Sequence, residues 1–229
     1  MHYISNWKCI SLKRWKVIKK SDKPTIISPK NTFIDDSVKF GKNVIIYEGN
    51  RLMGNTYIGD DTVLLPNNFI VDSKIGCNTS IHSSVIENSI IDDNIVVGPF
   101  ARIRPKSHIK SYSKIGNFCE VKNSNIGKYT KMSHLAYVGD SEIGDNCNIG
   151  CGVIFANYNG KTKSGVKVGN NVFIGSNSNL IAPLEIGDGV YICAGTTVVH
   201  NCDSDSFIIG RARAVEKKSR AHDYLKGVE

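Results

Sequence analysis

Two cations, Arg104 and Lys122, stand 18 residues apart, and each directly follows an aliphatic residue, Ile103 or Val121. If the chain winds through coils of that length, the two side chains point outward on one face, about one strand spacing apart. Like charges held so close repel each other unless an anion lies between them. A phosphate would suit the pair, because Arg offers a bidentate fork and Lys a point charge. Two solvated cations that bind no ligand are an equally open interpretation.

Three further polar residues, His134, Tyr137 and Asn148, lie at other positions of the predicted coil. Imidazole titrates near neutral pH, which suits a general base, although a single histidine is more often structural. We expect His134 two corners beyond Lys122, Tyr137 at the next corner and Asn148 near another. One stack of coils does not easily bring these groups together, whereas the edges of neighbouring copies could. The pattern therefore predicts a homo-oligomer, most naturally a trimer.

A six-residue period of apolar residues has to position these groups, and it runs through most of the chain. Its longest runs are Ile34, Phe40, Ile46, Leu52, Ile58, Leu64 and Ile70, then Val97, Ile103, Ile109, Ile115 and Val121, and finally Val168, Ile174, Leu180, Ile186, Ile192 and Val198. This period fits neither an α-helix nor a hairpin series but is typical of a parallel β-helix built from hexapeptides, three to a coil. We therefore predict an all-β domain over residues 24–200, with roughly ten coils.

Two further sequence features fit a β-helix: small residues at a second inward position, and one insertion that interrupts the period. Ala101, Ser107, Ser113, Cys119 and Cys147 are among the small residues that precede the period by two positions, as a narrow interior requires. The two cysteines are then core residues. The period breaks at residues 157–165, where a polar, glycine-containing segment is predicted to leave the stack as a loop. Either a tolerated surface insertion or a ligand-contacting loop fits its sequence.

A metal site is a second interpretation of the histidines, as in hexapeptide carbonic anhydrases. His82, His108 and His134 are 26 residues apart and have no close partner, whereas metal ligands need matched or neighbouring positions. The seven cysteines form no C-x-x-C pair, which argues against a zinc ribbon. We predict no metal.

The two ends of the chain lack the period. Residues 1–23 hold seven Lys or Arg against one Asp, a net +6 of the chain's +8, and are predicted to form a short helix or linker. Residues 201–229 are predicted to form a cap and tail. No nucleic-acid-binding module follows the basic segment, so we expect no nucleic-acid partner. The sequence has no secretory pattern, no run of ~18 apolar residues and an odd number of cysteines, which predicts a cytoplasmic protein without a membrane span.

Seven motifs carry a family resemblance: G-P-F-A-R-I-R-P, I-G-N-F-C-E-V-K, S-H-L-A-Y-V-G-D, E-I-G-D-N-C-N-I-G, N-Y-N-G, F-I-G-S and A-G-T-T-V. Over about residues 24–213 the chain resembles the C-terminal acetyltransferase domain of the bacterial bifunctional N-acetylglucosamine-1-phosphate uridyltransferase/glucosamine-1-phosphate acetyltransferase. The resemblance implies a left-handed β-helix that forms a homotrimer with active sites between subunits. It also implies acetyl transfer, without a metal, from acetyl-CoA to the amine of glucosamine 1-phosphate.

The resemblance also implies a role for each motif residue. His134 is the implied general base, and Glu120 would help orient or tune it. Arg104, Lys122 and Lys163 match the sugar-phosphate contacts, and Tyr137, Asn148, Asn157 and Tyr158 match the positions that hold the sugar. Cys151, Ser176, Ala194 and Arg211 match the acetyl-CoA side, with Arg211 facing a CoA phosphate.

The chain departs from the family pattern at a few positions. Cys151 replaces a usual alanine, Asn159 replaces the aspartate of N-Y-D-G, Ala136 replaces a threonine and Gly210 replaces a serine. None of these changes removes a proposed catalytic group. Because only 23 residues precede the matching region, we expect uridyltransferase activity to be absent. Two alternatives stay open: acetylation of another amino sugar (galactosamine 1-phosphate or a nucleotide-linked one), or a non-catalytic partner of a separate uridyltransferase.

Overall fold

The computed structural model describes residues 22–221, so the predicted basic segment at residues 1–23 lies almost wholly outside the described residues. Within them the chain forms thirty short strands, β1 to β30, and a single turn of 3-10 helix at Pro29–Asn31. The strands fall into three parallel sheets. Consecutive strands belong to different sheets, so each complete coil contributes one strand to each sheet.

The first sheet contains β1 (Thr25–Ile26), β4 (Ile45–Ile46), β7 (Val63–Leu64), β10 (Ser80–Ile81), β13 (Val96–Val97), β16 (Lys114–Asn117), β19 (Lys131–His134), β22 (Asn148–Ile149), β25 (Phe173–Ile174), β28 (Tyr191–Ile192) and β30 (Phe207–Ile208). The second contains β2 (Phe33–Ile34), β5 (Arg51–Met53), β8 (Phe69–Val71), β11 (Val85–Glu87), β14 (Arg102–Ile103), β17 (Glu120–Lys122), β20 (Tyr137–Gly139), β23 (Ile154–Ala156), β26 (Asn179–Ile181) and β29 (Thr197–Val198). The third contains β3 (Lys39–Phe40), β6 (Tyr57–Ile58), β9 (Lys74–Ile75), β12 (Ile90–Ile91), β15 (His108–Ile109), β18 (Asn125–Ile126), β21 (Glu142–Ile143), β24 (Val166–Val168) and β27 (Leu184–Ile186).

This arrangement is a left-handed parallel β-helix of about ten turns, which confirms the predicted fold class. The register follows the sequence period, since Ile103 pairs with Val121 and Val121 with Val138 along the second sheet. Equivalent residues therefore lie above one another at about the 4.8 Å spacing of neighbouring strands. A side chain that faces outward on one strand has its nearest neighbours on the strands directly above and below.

The interior is a single apolar column that runs the length of the helix. Ile103, Ile109, Ile115 and Val121 are fully buried, as the period predicts. The small residues two positions earlier are buried as well, including Cys119 and Cys147. Buried hydroxyl groups bond to the main chain of the next coil, and no buried side-chain nitrogen or oxygen in residues 22–221 lacks a partner. Inward positions with large and with small side chains thus alternate along the chain, and the buried polar side-chain atoms of the described residues all have hydrogen-bond partners.

Not every corner residue is one of the types that best tolerate a left-handed backbone, such as glycine and asparagine. Many corner residues at positive φ are Asn, Asp or Gly, but five aromatic or aliphatic residues adopt the same left-handed backbone: Phe100, Tyr112, Phe118, Tyr129 and Leu135. Each such residue costs about 1–2 kcal/mol relative to a relaxed backbone. The rings stack on those of the neighbouring coil, with centroids 5.4 Å apart for Phe100 and Phe118 and 4.9 Å for Tyr112 and Tyr129.

The stack extends beyond the predicted boundary at residue 200. Strand β30 pairs in register with β28, so part of the predicted cap and tail at residues 201–229 joins the stack. The segment 157–165 leaves the stack after β23, as predicted, and closes through an antiparallel bridge between Tyr158 and Lys163.

Residues 22–221 contain no helix with the length and apolar character that crossing a membrane requires.

Neighbouring isoleucines in β12 test the inward and outward assignments. Ile91 is 1% exposed, whereas Ile90 is 44% exposed. We expect Ile91→Ala to lower the free energy of unfolding by about 2–5 kcal/mol, because it removes buried methyl groups and leaves a cavity. The matched change Ile90→Ala is expected to cost less than about 1 kcal/mol. Urea denaturation followed by circular dichroism measures both, and equal losses would contradict this register.

Candidate active site

Four of the predicted site residues form a column with Asn117 at the corner between the first and second sheets. Asn117 pairs with His134, and Cys151, Ser176 and Ala194 occupy the equivalent position of the next three coils. Successive members are separated by about one strand spacing of 4.8 Å. We call this set the corner column. It brings the proposed base and three of the predicted acetyl-CoA residues into one line.

His134 is exposed, and its ring is held from below by a side-chain amide. Its Nδ1 lies 2.6 Å from Oδ1 of Asn117. An amide oxygen only accepts hydrogen bonds, so the neutral ring carries its proton on Nδ1 and keeps a lone pair on Nε2. The contact thus fixes both the tautomer and the direction of the ring. Sequence reasoning did not find Asn117, although its place one coil before the histidine was the available signal.

The two cations on the second sheet each have a carboxylate partner. Nη1 of Arg104 lies 2.9 Å from Oε1 of Glu120, and Nζ of Lys122 lies 3.1 Å from both oxygens of Asp140. The hydrogen bond to Glu120 raises the pKa of the Arg104 guanidinium further. The like-charge argument for a bound phosphate took no account of these protein carboxylates. The acids on the neighbouring strands neutralise them, so like-charge repulsion is no independent argument for a phosphate.

A shallow pocket lies over Arg104 and the Lys122–Asp140 pair. Its volume is about 330 Å³, and it is lined by Arg104, Pro105, Lys106, Lys122, Asn123 and Asp140. A larger groove of about 710 Å³ runs along the third sheet over Gly144, Gly169 and Gly187. None of the predicted site residues lines that groove, so the smaller pocket is the one that belongs to the candidate site.

Glu120 contacts a different residue from the one its implied role requires. Within the described residues its hydrogen bond goes to Arg104, while the hydrogen bond of His134 goes to Asn117. The two residues also lie on different strands, β17 of the second sheet and β19 of the first. In a single chain, Glu120 therefore holds the guanidinium and does not directly orient the ring.

Tyr137 and Asn157 lie on the same side of the helix as the two cations. Tyr137 is the first residue of β20 and stacks above Glu120, so its predicted position at a corner is wrong. Asn157 is 8% exposed and donates from Nδ2 to Oδ2 of Asp140 at 2.6 Å, with the Tyr137 hydroxyl 3.4 Å away. One chain thus gathers more of the predicted sugar contacts than we expected.

Asp140, which the sequence analysis also missed, connects these groups. Burial alone would raise the pKa of its carboxyl group. Hydrogen bonds from Asn123, Lys122 and Asn157, together with the Lys122 charge, outweigh that effect and lower the pKa. The carboxylate is thus a stable anion at neutral pH. Its position next to a predicted lysine, one coil further on, was the signal that could have revealed it.

The remaining predicted sugar contacts lie on other parts of the surface. Asn148 is half-buried on β22 of the first sheet. Tyr158 and Lys163 are exposed on the loop 157–165, which leaves from the corner between the second and third sheets. A single chain does not bring Asn148 and this loop together. Within the loop, Oδ1 of Asn159 accepts from the backbone of Lys161 and Thr162, a role that the family's aspartate could fill equally well.

The predicted acetyl-CoA residues form a smooth strip. Cys151 is half-exposed, and Ser176 and Ala194 are exposed with short side chains. Arg211 lies beside the end of the column and donates from Nη1 to the Ala194 carbonyl oxygen at 2.9 Å. A Cβ added to Gly150 would lie 2.6 Å from the Ser176 nitrogen, so glycine is needed for the coils to approach there. The structure therefore groups all four predicted residues.

Metal-ligating side chains are not clustered in the described part of the chain. Residues 22–221 contain no group of three or more His, Cys, Asp or Glu placed to hold a metal ion. His108, one of the three histidines considered, lies with Nε2 2.8 Å from Oδ1 of Asp92.

The fold and the repeated corner geometry define a hexapeptide-repeat β-helix protein. Residues 165–200 match the family model described as bacterial transferase hexapeptide (six repeats). Over 205 residues, 90% of the chain, the sequence is 46% identical to the bifunctional protein GlmU of Clostridium kluyveri. It is 49% identical over 193 residues to the bifunctional protein GlmU of Caldicellulosiruptor saccharolyticus. This similarity confirms the resemblance drawn from the motifs.

The chain spans less than half the length of these relatives, 44% of the first and 42% of the second. Among solved structures, the UDP-N-acetylglucosamine acyltransferase from Campylobacter jejuni matches 88% of this chain and 79% of its own, with a TM-score of 0.50 and 16% identity. At that identity the match supports the fold alone.

The reactivity of the free thiols tests which cysteines lie in the interior and which lie on the surface. Burial raises the pKa of the Cys119 and Cys147 thiols, which leaves them unreactive. Cys77 and Cys151 are partly exposed. With iodoacetamide at pH 8, we expect Cys77 and Cys151 to be carboxamidomethylated at least ~10-fold faster than the two buried thiols. Mass spectrometry of peptides measures this, and early labelling of Cys147 would contradict the assigned interior.

Proposed function

We propose that the chain is an acetyl-CoA-dependent N-acetyltransferase that converts glucosamine 1-phosphate to N-acetylglucosamine 1-phosphate. The observation that carries the proposal is the His134 ring. Asn117 orients it, Nε2 is free to accept a proton, and His134 lies in the corner column directly next to Cys151, the first of the predicted acetyl-CoA residues. The similarity to bifunctional GlmU proteins over 90% of the chain supports the same activity.

In the proposed reaction, Nε2 of His134 takes a proton from the ammonium group of the sugar. The freed amine attacks the thioester carbonyl carbon, a C–N bond forms and the C–S bond breaks. As the intermediate collapses, the nitrogen loses its second proton to solvent and the departing CoA thiolate takes the proton from the His134 imidazolium, so the net products are the acetamide, free CoA thiol and one released proton. Imidazole suits this step because a neutral ring nitrogen accepts a proton readily. Orienting both substrates supplies much of the remaining rate enhancement.

The pocket on the second sheet is proposed to receive the sugar phosphate. Arg104 and Lys122 offer a fork and an ammonium group on adjacent strands, and Lys163 is proposed to complete the set from the loop. The phosphate would share these donors with Glu120 and Asp140, which keep the cations in place before the ligand arrives. Tyr137, Asn148, Asn157 and Tyr158 are proposed to hold the sugar ring.

Acetyl-CoA is proposed to lie along the corner column. The short side chains of Cys151, Ser176 and Ala194 leave room for the pantetheine arm, and Arg211, which contacts the Ala194 carbonyl oxygen, is proposed to bind a CoA phosphate. When bound, acetyl-CoA supplies the activated acetyl group. His134 lies one coil before Cys151 in the corner column and is proposed to lie next to the thioester.

A homotrimer is part of the proposal. Phe100, Phe118 and Leu135 form an apolar edge beside the corner column and are 56–58% exposed in the single chain. An exposed apolar strip of this kind favours association. A neighbouring copy that covers this edge could bring its own loop 157–165 to His134. A cytoplasmic location fits the six free cysteines of residues 22–221, and a separate uridyltransferase is a proposed partner.

Replacement of the proposed base tests the mechanism. We expect His134→Ala to lower kcat with glucosamine 1-phosphate at least ~100-fold, because no other group accepts the proton. His108→Ala is the control, since that histidine pairs with Asp92 on the third sheet. Free-thiol release from acetyl-CoA measures the rate. Equal rates for both variants would show that His134 is not the base. Faster turnover of galactosamine 1-phosphate or a UDP-linked amino sugar would identify that sugar as the acceptor instead.

Ligand protection tests the acetyl-CoA site without relying on turnover. Saturating CoA is expected to slow the alkylation of Cys151 at least ~10-fold, because the bound arm covers the corner column. Cys77 lies in an earlier coil, between β9 of the third sheet and β10 of the first, and serves as the internal control. Unchanged labelling of Cys151 under saturating CoA would contradict the proposed binding line.

A further inference from the structure

The carboxylate of Asp140 lies at the centre of the proposed sugar-phosphate pocket, and its side chain is only 16% exposed. Oδ1 accepts from Nδ2 of Asn123 at 2.8 Å, and Oδ2 accepts from Nδ2 of Asn157 at 2.6 Å. Nζ of Lys122 lies 3.1 Å from both oxygens. Lys122 and Asn123 belong to the coil below, whereas Asn157 belongs to the coil above. One side chain therefore ties three successive coils.

The loop 157–165 is attached to the stack at this same point. It begins at Asn157, and its last turn closes by a hydrogen bond from the Ser164 nitrogen to the Asn157 carbonyl oxygen at 2.9 Å. At its end, a side chain on Gly165 would collide with the Asp140 carbonyl oxygen, so the loop packs directly on the Asp140 main chain. Asp140 therefore holds one end of the loop by its carboxylate and contacts the other end by its backbone.

The bonds inside the loop do not anchor it to the coils. The Tyr158 hydroxyl donates to the Gly160 carbonyl oxygen, and the Asn159 side chain bonds Lys161 and Thr162 within the same loop. These contacts shape the hairpin but do not fix its orientation relative to the coils. The buried Asn157 side chain, which bonds Asp140, is the part of the loop that fixes it to the second sheet.

We propose that Asp140 is a positioning residue that makes Lys122 and the loop 157–165 a single rigid unit. The role of this unit as a sugar-phosphate site rests on the proposed function. The carboxylate suits the task because all its neighbours are donors, and it offers acceptors to each of them. An amide at this position has one oxygen and turns its NH₂ group toward a donor. Asp140→Asn would therefore break at least one of the contacts without changing the shape of the side chain.

Two measurements on the full chain test this inference. The first is limited trypsin cleavage at Lys161 and Lys163, followed by mass spectrometry, which reports loop anchoring without activity. We expect Asp140→Asn to speed cleavage there more than about fivefold, because the loop opens more often. The second is the KM for glucosamine 1-phosphate, which is expected to rise at least ~10-fold, while the KM for acetyl-CoA stays within about twofold.

Two further variants separate the two arms of the unit. Lys122→Met is expected to raise the KM for the sugar phosphate but to leave loop cleavage unchanged, because Asp140 keeps its bond to Asn157. Glu185→Gln is the matched control, since it breaks an exposed pair with Lys167 at 3.2 Å on the third sheet. This control is expected to change neither measurement.

The outcomes are distinguishable. Wild-type cleavage rates in Asp140→Asn would overturn the inference, whatever the enzyme assay gives. If wild-type protein transfers no acetyl group to glucosamine 1-phosphate, the proposed function fails, but the cleavage result still decides the anchoring. If Asp140→Asn does not fold, as judged by circular dichroism, Asn157→Ala detaches the loop and keeps the Lys122–Asp140 pair. Its cleavage is expected to accelerate equally, and a wild-type rate would overturn the inference.

Discussion

Alignment of equivalent residues on successive coils is the constraint on which the rest of the structure depends. The interior accepts one wide and one narrow side chain at each face, so Ile103 and Val121 have to lie directly above one another. Once they do, the residue after each of them faces outward at one strand spacing. The positions of Arg104 and Lys122 are thus consequences of apolar packing. Chemistry on this surface depends on a core that tolerates no shift of register.

Charge on the second sheet is balanced locally. Arg104 and Lys122 are matched by Glu120 and Asp140, which lie on neighbouring coils. These paired side chains are partly screened from water, so removing one partner would leave its neighbour without compensation. A bound anion would have to compete for donors that are already in use. Recognition would then depend on the fixed geometry of the donors more than on an excess of positive charge.

The sequence was sufficient for the fold, because a period of six residues leaves few alternatives once small residues accompany it. It was less informative about pairs between coils. The like-charge argument for Arg104 and Lys122 overlooked the acids on adjacent strands, since those acids are 16 and 18 residues away along the chain. Asn117 escaped notice for the same reason. Tyr137 was misplaced because a residue directly before an inward aliphatic lies on the strand, not at the corner.

The corner column also fixes distances along the surface. His134 and Ala194 are three coils apart, which corresponds to roughly 14 Å at the usual strand spacing. Because every coil contributes one equal step, this length changes only by whole coils and never by fractions. A chain of this architecture can therefore accommodate a longer or shorter extended ligand by gaining or losing one complete turn. The insertion of a few residues, in contrast, is displaced into a loop, as at 157–165, and leaves the length intact.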